Sequence, residues 1–149
     1  MSRLQDLLQD LRIMPGVESA FLCCREGIIA ATHHDHERQK RMGRVFLNIL
    51  SGAFSLGHFV REIYSSYDTT VLMIRPVSRG CILVARCKPD VTMRLVDISL
   101  TMTVKSIEEE LNGMDELPPP IERRGAADRE AGAPGDGHLR TLVETRTEG

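Results

Sequence analysis

Tryptophan is missing from this sequence, and two tyrosines and four phenylalanines are all its other large aromatic residues. So few rings leave little surface for nucleobases to stack on, which argues against a platform for single-stranded nucleic acid. An excess of basic charge is missing as well. The formal net charge is −2, so there is no electrostatic footprint for a phosphate backbone. No stretch approaches the roughly 18 consecutive apolar residues of a membrane span. The opening "MSRLQDLLQDLR" alternates charge with leucine and lacks the unbroken apolar core of a signal peptide. Nucleic-acid partners and a membrane span are therefore not expected.

The four cysteines, Cys23, Cys24, Cys81 and Cys87, show no C-x-x-C spacing. Neighbours on a strand point to opposite faces, so Cys23 and Cys24 do not converge on one site. They read as reduced, partly buried thiols of a cytoplasmic protein, in preference to disulfides or metal ligands. A Cys-His nucleophile would need a base and an oxyanion site within reach, and the sequence anchors no histidine opposite either thiol. The two glycines of "SGAFSLGH" (Ser51 to His58) lack the Gly-Lys-Ser/Thr of a phosphate loop and fall late in a helix. No nucleotide site, cofactor or catalytic residue is expected.

What is present is an ordinary globular composition, 42% apolar, that changes sharply after Asn112-Gly113. Residues 114–149 contain "LPPP" and "GAADREAGAPGDG", with eight acidic and five basic residues. Such a segment cannot bury enough apolar surface to offset its ordering entropy, and reads as a disordered tail behind a domain at 1–113. Within it, "LRTLVE" (Leu139 to Glu144) is the one short apolar patch.

Inside 1–113, Leu4, Leu7, Leu8 and Leu11 recur at helical spacing. Pro15-Gly16 ends that helix. "VESAFLCC" and "IIAAT" are short apolar strands joined by Arg25-Glu26-Gly27, a three-residue hairpin whose last position requires φ > 0. A second helix runs from about Glu37 to Leu56, and Asp35 is a candidate N-cap. Its apolar positions fan across roughly 200°, about twice the stripe one buried surface needs. The surplus is read as Leu47, Leu50 and Phe54, at one margin of that arc, which a second partner surface would cover. Three strands follow, "HFVREIYS", "TTVLMIRP" and "GCILVARC". The first is half polar, as an edge strand should be. The other two carry unbroken apolar runs, which implies helices on both faces of the sheet. Asp90 is a candidate N-cap and Asn112-Gly113 the stop of a last helix, striped at Met93, Val96, Leu100, Val104, Ile107 and Leu111, with Leu95, Ile98 and Met102 off the stripe. The order is α-β-β-α-β-β-β-α, an α+β fold with a five-stranded antiparallel sheet between helices.

That order, with Pro15-Gly16-Val17, Ala20 and Arg25-Glu26-Gly27 leading to Ala30-Ala31, resembles the Roadblock/dynein light chain family over about residues 5–111. Departures from many bacterial members are the Cys23-Cys24 pair, the bulky "HHDHERQK" before the second helix, and the long tail. The resemblance implies a profilin-like sheet and a non-enzymatic dimer paired through the second helix and the adjacent edge strand. Leu47, Leu50, Phe54 and Val60 are then the expected contacts. Bacterial MglB-like members bind Ras-like small GTPases and promote their hydrolysis, and their paired second helices face the GTPase. Carried over, Arg41, Arg44 and Asn48 are the GTPase-facing candidates. Other members are scaffolds or dynein light chains, so the alternative is an adaptor that recruits a complex without affecting hydrolysis. The partner protomer is an identical or a paralogous chain.

One chemical alternative stands beside this reading. "HHDHE" (His33 to Glu37) holds good ligands for zinc, copper or nickel, and would make the protein a metal or small-molecule sensor through His33, His34 and His36. Consecutive residues diverge unless the backbone turns tightly, so a solvated loop between strand and helix is the simpler reading.

Overall fold

The computed structural model describes residues 3–89 and 93–121. Its elements follow the expected order: α1 (Arg3–Ile13), β1 (Val17–Cys24), β2 (Gly27–Ala31), α2 (His36–Ser55), β3 (Ile63–Tyr67), β4 (Thr70–Pro76), β5 (Ile82–Cys87) and α3 (Met93–Asn112). A single 3-10 turn, Ser78–Gly80, links β4 to β5. The strands form one antiparallel sheet in the order β2-β1-β5-β4-β3, so β2 and β3 are its edges.

Strand alternation divides the interior into two cores. Leu22 and Cys24 of β1 join the leucines of α1 and the Val96–Leu100–Ile107–Leu111 stripe of α3. Phe21 and Cys23 point the other way, into a smaller core with Leu72, Ile74, Val84 and Phe46 of α2. Cys23 and Cys24 therefore lie in different layers, as residues one apart on a strand must. Each fully buried leucine or isoleucine contributes about 1.5–3 kcal/mol. The first core, with two helices, holds most of that stabilisation.

Helix α2 rests on its side of the sheet by a narrow stripe of Gln39, Gly43 and Phe46. Gly43 sets the closeness: a Cβ there would lie 2.5 Å from Cys23 Sγ. The helix ends as its sequence suggests. Gly57 takes φ 86°, its N–H donates to the Phe54 carbonyl, and the His58 N–H donates to the Ala53 carbonyl, which is a Schellman stop. Edge β2 is covered from α1, because the Gln5 amide donates to the Ala31 carbonyl at 2.6 Å and accepts from the Ala31 N–H at 3.3 Å.

Three expectations need correction. The strand expected from His58 starts only at Ile63, because the ladder with β4 runs from Ile63↔Ile74 to Tyr67↔Thr70. Residues 58–62 have the half-polar make-up of an edge strand but no ladder partner among the described residues, so Val60 sits in a connection, half-buried. Asp35 occupies the N-cap of α2 without a capping side-chain bond and leans instead toward Arg38 at 3.9 Å. The boundary at 113 cuts through packed chain: Met114 and Leu117 rest on the α1–α3 core and Ile121 on the α2 core. Asp90 and the remainder of the expected tail, 122–149 with Leu139 to Glu144, lie outside the described residues.

Candidate interaction surface

The outward half of α2 is polar, and Arg41, Arg44 and Asn48 are all exposed on it. Steps of three and four residues keep them on one helical face. Arg44 and Lys40 also approach Arg25 in the β1–β2 turn, around a notch of about 110 Å³ that reaches Asn48. The three GTPase-facing candidates are thus contiguous, and the hairpin turn adds a further guanidinium that the sequence did not associate with them.

The four dimer candidates separate. Leu47 and Leu50 are half-buried against their own sheet, as members of the α2-side core. Phe54 stands 74% exposed near the helix end. Val60 lies in the connection that follows. The apolar surplus of α2 instead runs along Val45, 54% exposed, and Ile49, 47% exposed, and continues to the exposed Leu56. These residues extend the ridge of Arg38 and Met42, which face Leu72 and Val84, so the ridge follows the flank of α2 turned toward β4. Phe59 and Tyr64, both exposed, lie in the connection and on edge strand β3. The exposed row of Val45 and Ile49 lies at the margin of the arc opposite Leu47, Leu50 and Phe54, a distinction periodicity does not make because it does not tell which direction points at the sheet. A second apolar row, Leu95, Ile98 and Met102, is exposed on α3 in the opposite layer.

The groups with chemical potential are dispersed. His33 Nδ1 lies 3.0 Å from Thr32 Oγ1, and the His34 and His36 rings meet edge-on with centroids 5.6 Å apart. Among the described residues, no three His, Cys, Asp or Glu side chains converge to hold a metal ion. All four cysteines are buried, and none is in a disulfide with another described residue. Cys24 and Cys81 face each other one step beyond the Cys23↔Ile82 pair of β1 and β5. The hydrogen bond with Cys81 lowers the Cys24 thiol to about 6, against the opposing effect of burial. That bond and desolvation push Cys81 up instead. Burial raises Cys87 to about 11. No helix among the described residues is long and apolar enough to cross a membrane.

No family model and no curated protein matches the chain. Solved structures do. A Roadblock/LC7 domain from Streptomyces avermitilis superposes with a TM-score of 0.63 at 22% identity, over 74% of this chain and 98% of that one. MglB of Myxococcus xanthus gives a TM-score of 0.69 at 12% identity, over 76% and 98%. Schizosaccharomyces pombe profilin gives 0.53 at 12% identity, over 70% and 95%. The expected α+β architecture, with helices on both faces of a five-stranded antiparallel sheet, is the one observed, and the chain has the Roadblock fold.

Proposed function

We propose that this chain is a non-enzymatic, Roadblock-type dimer that binds a Ras-like small GTPase and promotes GTP hydrolysis by holding the switch regions in a hydrolysis-competent arrangement. The supporting observation is the layout of α2, where the exposed ridge of Val45 and Ile49 adjoins an exposed face of Arg41, Arg44 and Asn48. Pairing two copies through that ridge, with Leu56 at its end and the edge of β3 beside it, would cover the apolar surface. The two polar faces would then lie next to each other, open to a third protein. Leu47, Leu50 and Val60 would sit at the margin of this interface. The partner protomer is an identical or a paralogous chain.

Two mechanisms differ in what they ask of the arginines. An arginine inserted beside the transferring phosphoryl group can supply about 10³–10⁵ in rate. Ordering the GTPase's own switch loops needs no inserted side chain. The second is favoured here, because Arg41 and Arg44 lie on a helix face and not on an extended loop. Single-turnover GTP hydrolysis, with and without the protein, tests the reading. Acceleration with preference for the GTP state is expected, reduced only a few-fold by Arg41→Ala or Arg44→Ala. A loss of three orders of magnitude in either variant would assign the arginine-finger mechanism. Equal binding in both nucleotide states without acceleration would replace regulation by the adaptor reading. The Leu95, Ile98 and Met102 row of α3 favours that second reading, since it offers a further docking face in the opposite layer.

A further inference from the structure

A cavity of about 310 Å³ opens between the N-terminal half of α2 and strands β4 and β5. Its apolar wall is formed by Phe21, Met42, Leu72 and Val84. Into it projects Gln39, only 7% exposed, whose Oε1 has no hydrogen-bond partner among the described residues. A buried carbonyl left unpaired forfeits its hydration with nothing in return. Methionine or leucine would fill the same place at no such penalty, so packing alone does not account for a glutamine there.

We infer that this cavity binds a small aromatic molecule carrying one hydrogen-bond donor at its buried end. The volume sets the size. An apolar cavity of about 150 Å³ holds benzene, so one about twice as large takes two fused rings or one ring with a short chain. The unpaired Oε1 sets the polarity: it accepts, so an indole N–H or phenol O–H satisfies it and an ether or carbonyl does not. The rim sets the charge. Glu18 pairs with Arg86 at 3.6 Å and Asp35 with Arg38 at 3.9 Å, so both signs stand at the mouth and a neutral or zwitterionic tail is accommodated. The site uses Arg38, Gln39 and Met42 of α2, at the N-terminal end of the flank that carries the ridge, and none of Arg41, Arg44 and Asn48. It stands independently of the GTPase reading.

The test is a comparison of indole with indene, which has the same shape but no N–H. The isotopically labelled full chain is titrated with each, following the amides of Gln39, Met42 and Val84. Indole should saturate those shifts, raise the melting temperature, and bind at least about tenfold tighter than indene. Gln39→Met should erase the difference between the two while leaving the unliganded protein as stable or more so. Val84→Phe, which fills the cavity, should exclude both and serves if Gln39→Met does not fold. Absence of saturation by indole, equal affinities in the wild type, or a difference surviving in Gln39→Met would each overturn the proposal. So would shifts at these amides that track protein concentration and ignore the ligand, which would mean that a second copy of the chain fills the cavity.

Discussion

Gly43 fixes how near α2 comes to the sheet. A methyl group there would meet Cys23 Sγ at 2.5 Å and Cys23 Cβ at 3.4 Å, so the helix or the thiol would have to shift. Overpacking of this kind destabilises by about 1–3 kcal/mol, and alanine returns less than about 1 kcal/mol through its better helix propensity. Gly43→Ala should therefore lower stability by about 1 kcal/mol in urea unfolding. The double variant with Cys23→Ala should recover part of it, since the nearest atom is gone and the sites are in contact. A neutral or stabilising Gly43→Ala would show that closeness is not what this residue provides. The four leucines of α1 were legible in the sequence because their partners are each other's neighbours on one helical stripe. Gly43 and Gln39 were not. What matters for each lies across the helix–sheet interface, on Cys23 for one and on Phe21, Leu72 and Val84 for the other, and periodicity carries no information about a facing surface.

The C-terminus of α3 depends on a residue that reads in the sequence only as part of a turn. Arg79 donates to the carbonyls of Leu111 at 2.7 Å, Met114 at 2.6 Å and Asp115 at 3.2 Å, so one guanidinium gathers the end of the helix and the chain that leaves it. A cation there also complements the helix dipole. Its backbone is left-handed, at φ 65°, which a non-glycine residue adopts at some expense. Arg79→Ala should then cost about 1–2 kcal/mol and speed amide exchange in the last turn of α3. Arg79→Gly should cost less, because it loses the same bonds but relieves the backbone. If alanine and glycine behave alike, strain at this position is not significant. At this scale the sequence was legible wherever two signals agreed, as with apolar spacing and Asn112-Gly113 for the end of α3, or apolar runs on β4 and β5 for cover on both faces. It misled at 58–62, where a half-polar composition suggested an edge strand. Composition describes a chain that could lie at the edge of a sheet, but only residues 63–67 reach the hydrogen-bonding groups of β4.

For the molecule as a whole, the question is what covers the apolar ridge of α2. Val45 and Ile49 are exposed and touch neither core as buried members, whereas Leu47 and Leu50, on the flank of Phe54, pack on their own sheet. Substitutions in the two groups should therefore separate association from folding. Val45→Asp or Ile49→Asp should convert the proposed dimer into a monomer in sedimentation equilibrium, without altering the fold seen by circular dichroism. Leu50→Asp removes apolar contact inside the protomer and places a charge against it, so it should lower stability by about 2–4 kcal/mol and impair folding before assembly can be judged. Mass action gives an independent readout. If the native state is a dimer, the wild-type melting temperature rises with protein concentration, and that dependence should vanish in Ile49→Asp. A wild-type melting temperature indifferent to concentration, with a monomer mass, would remove the dimer from the proposed function and leave Arg41, Arg44 and Asn48 on a single helix. Their use by a partner would then have to be explained without a second copy beside them.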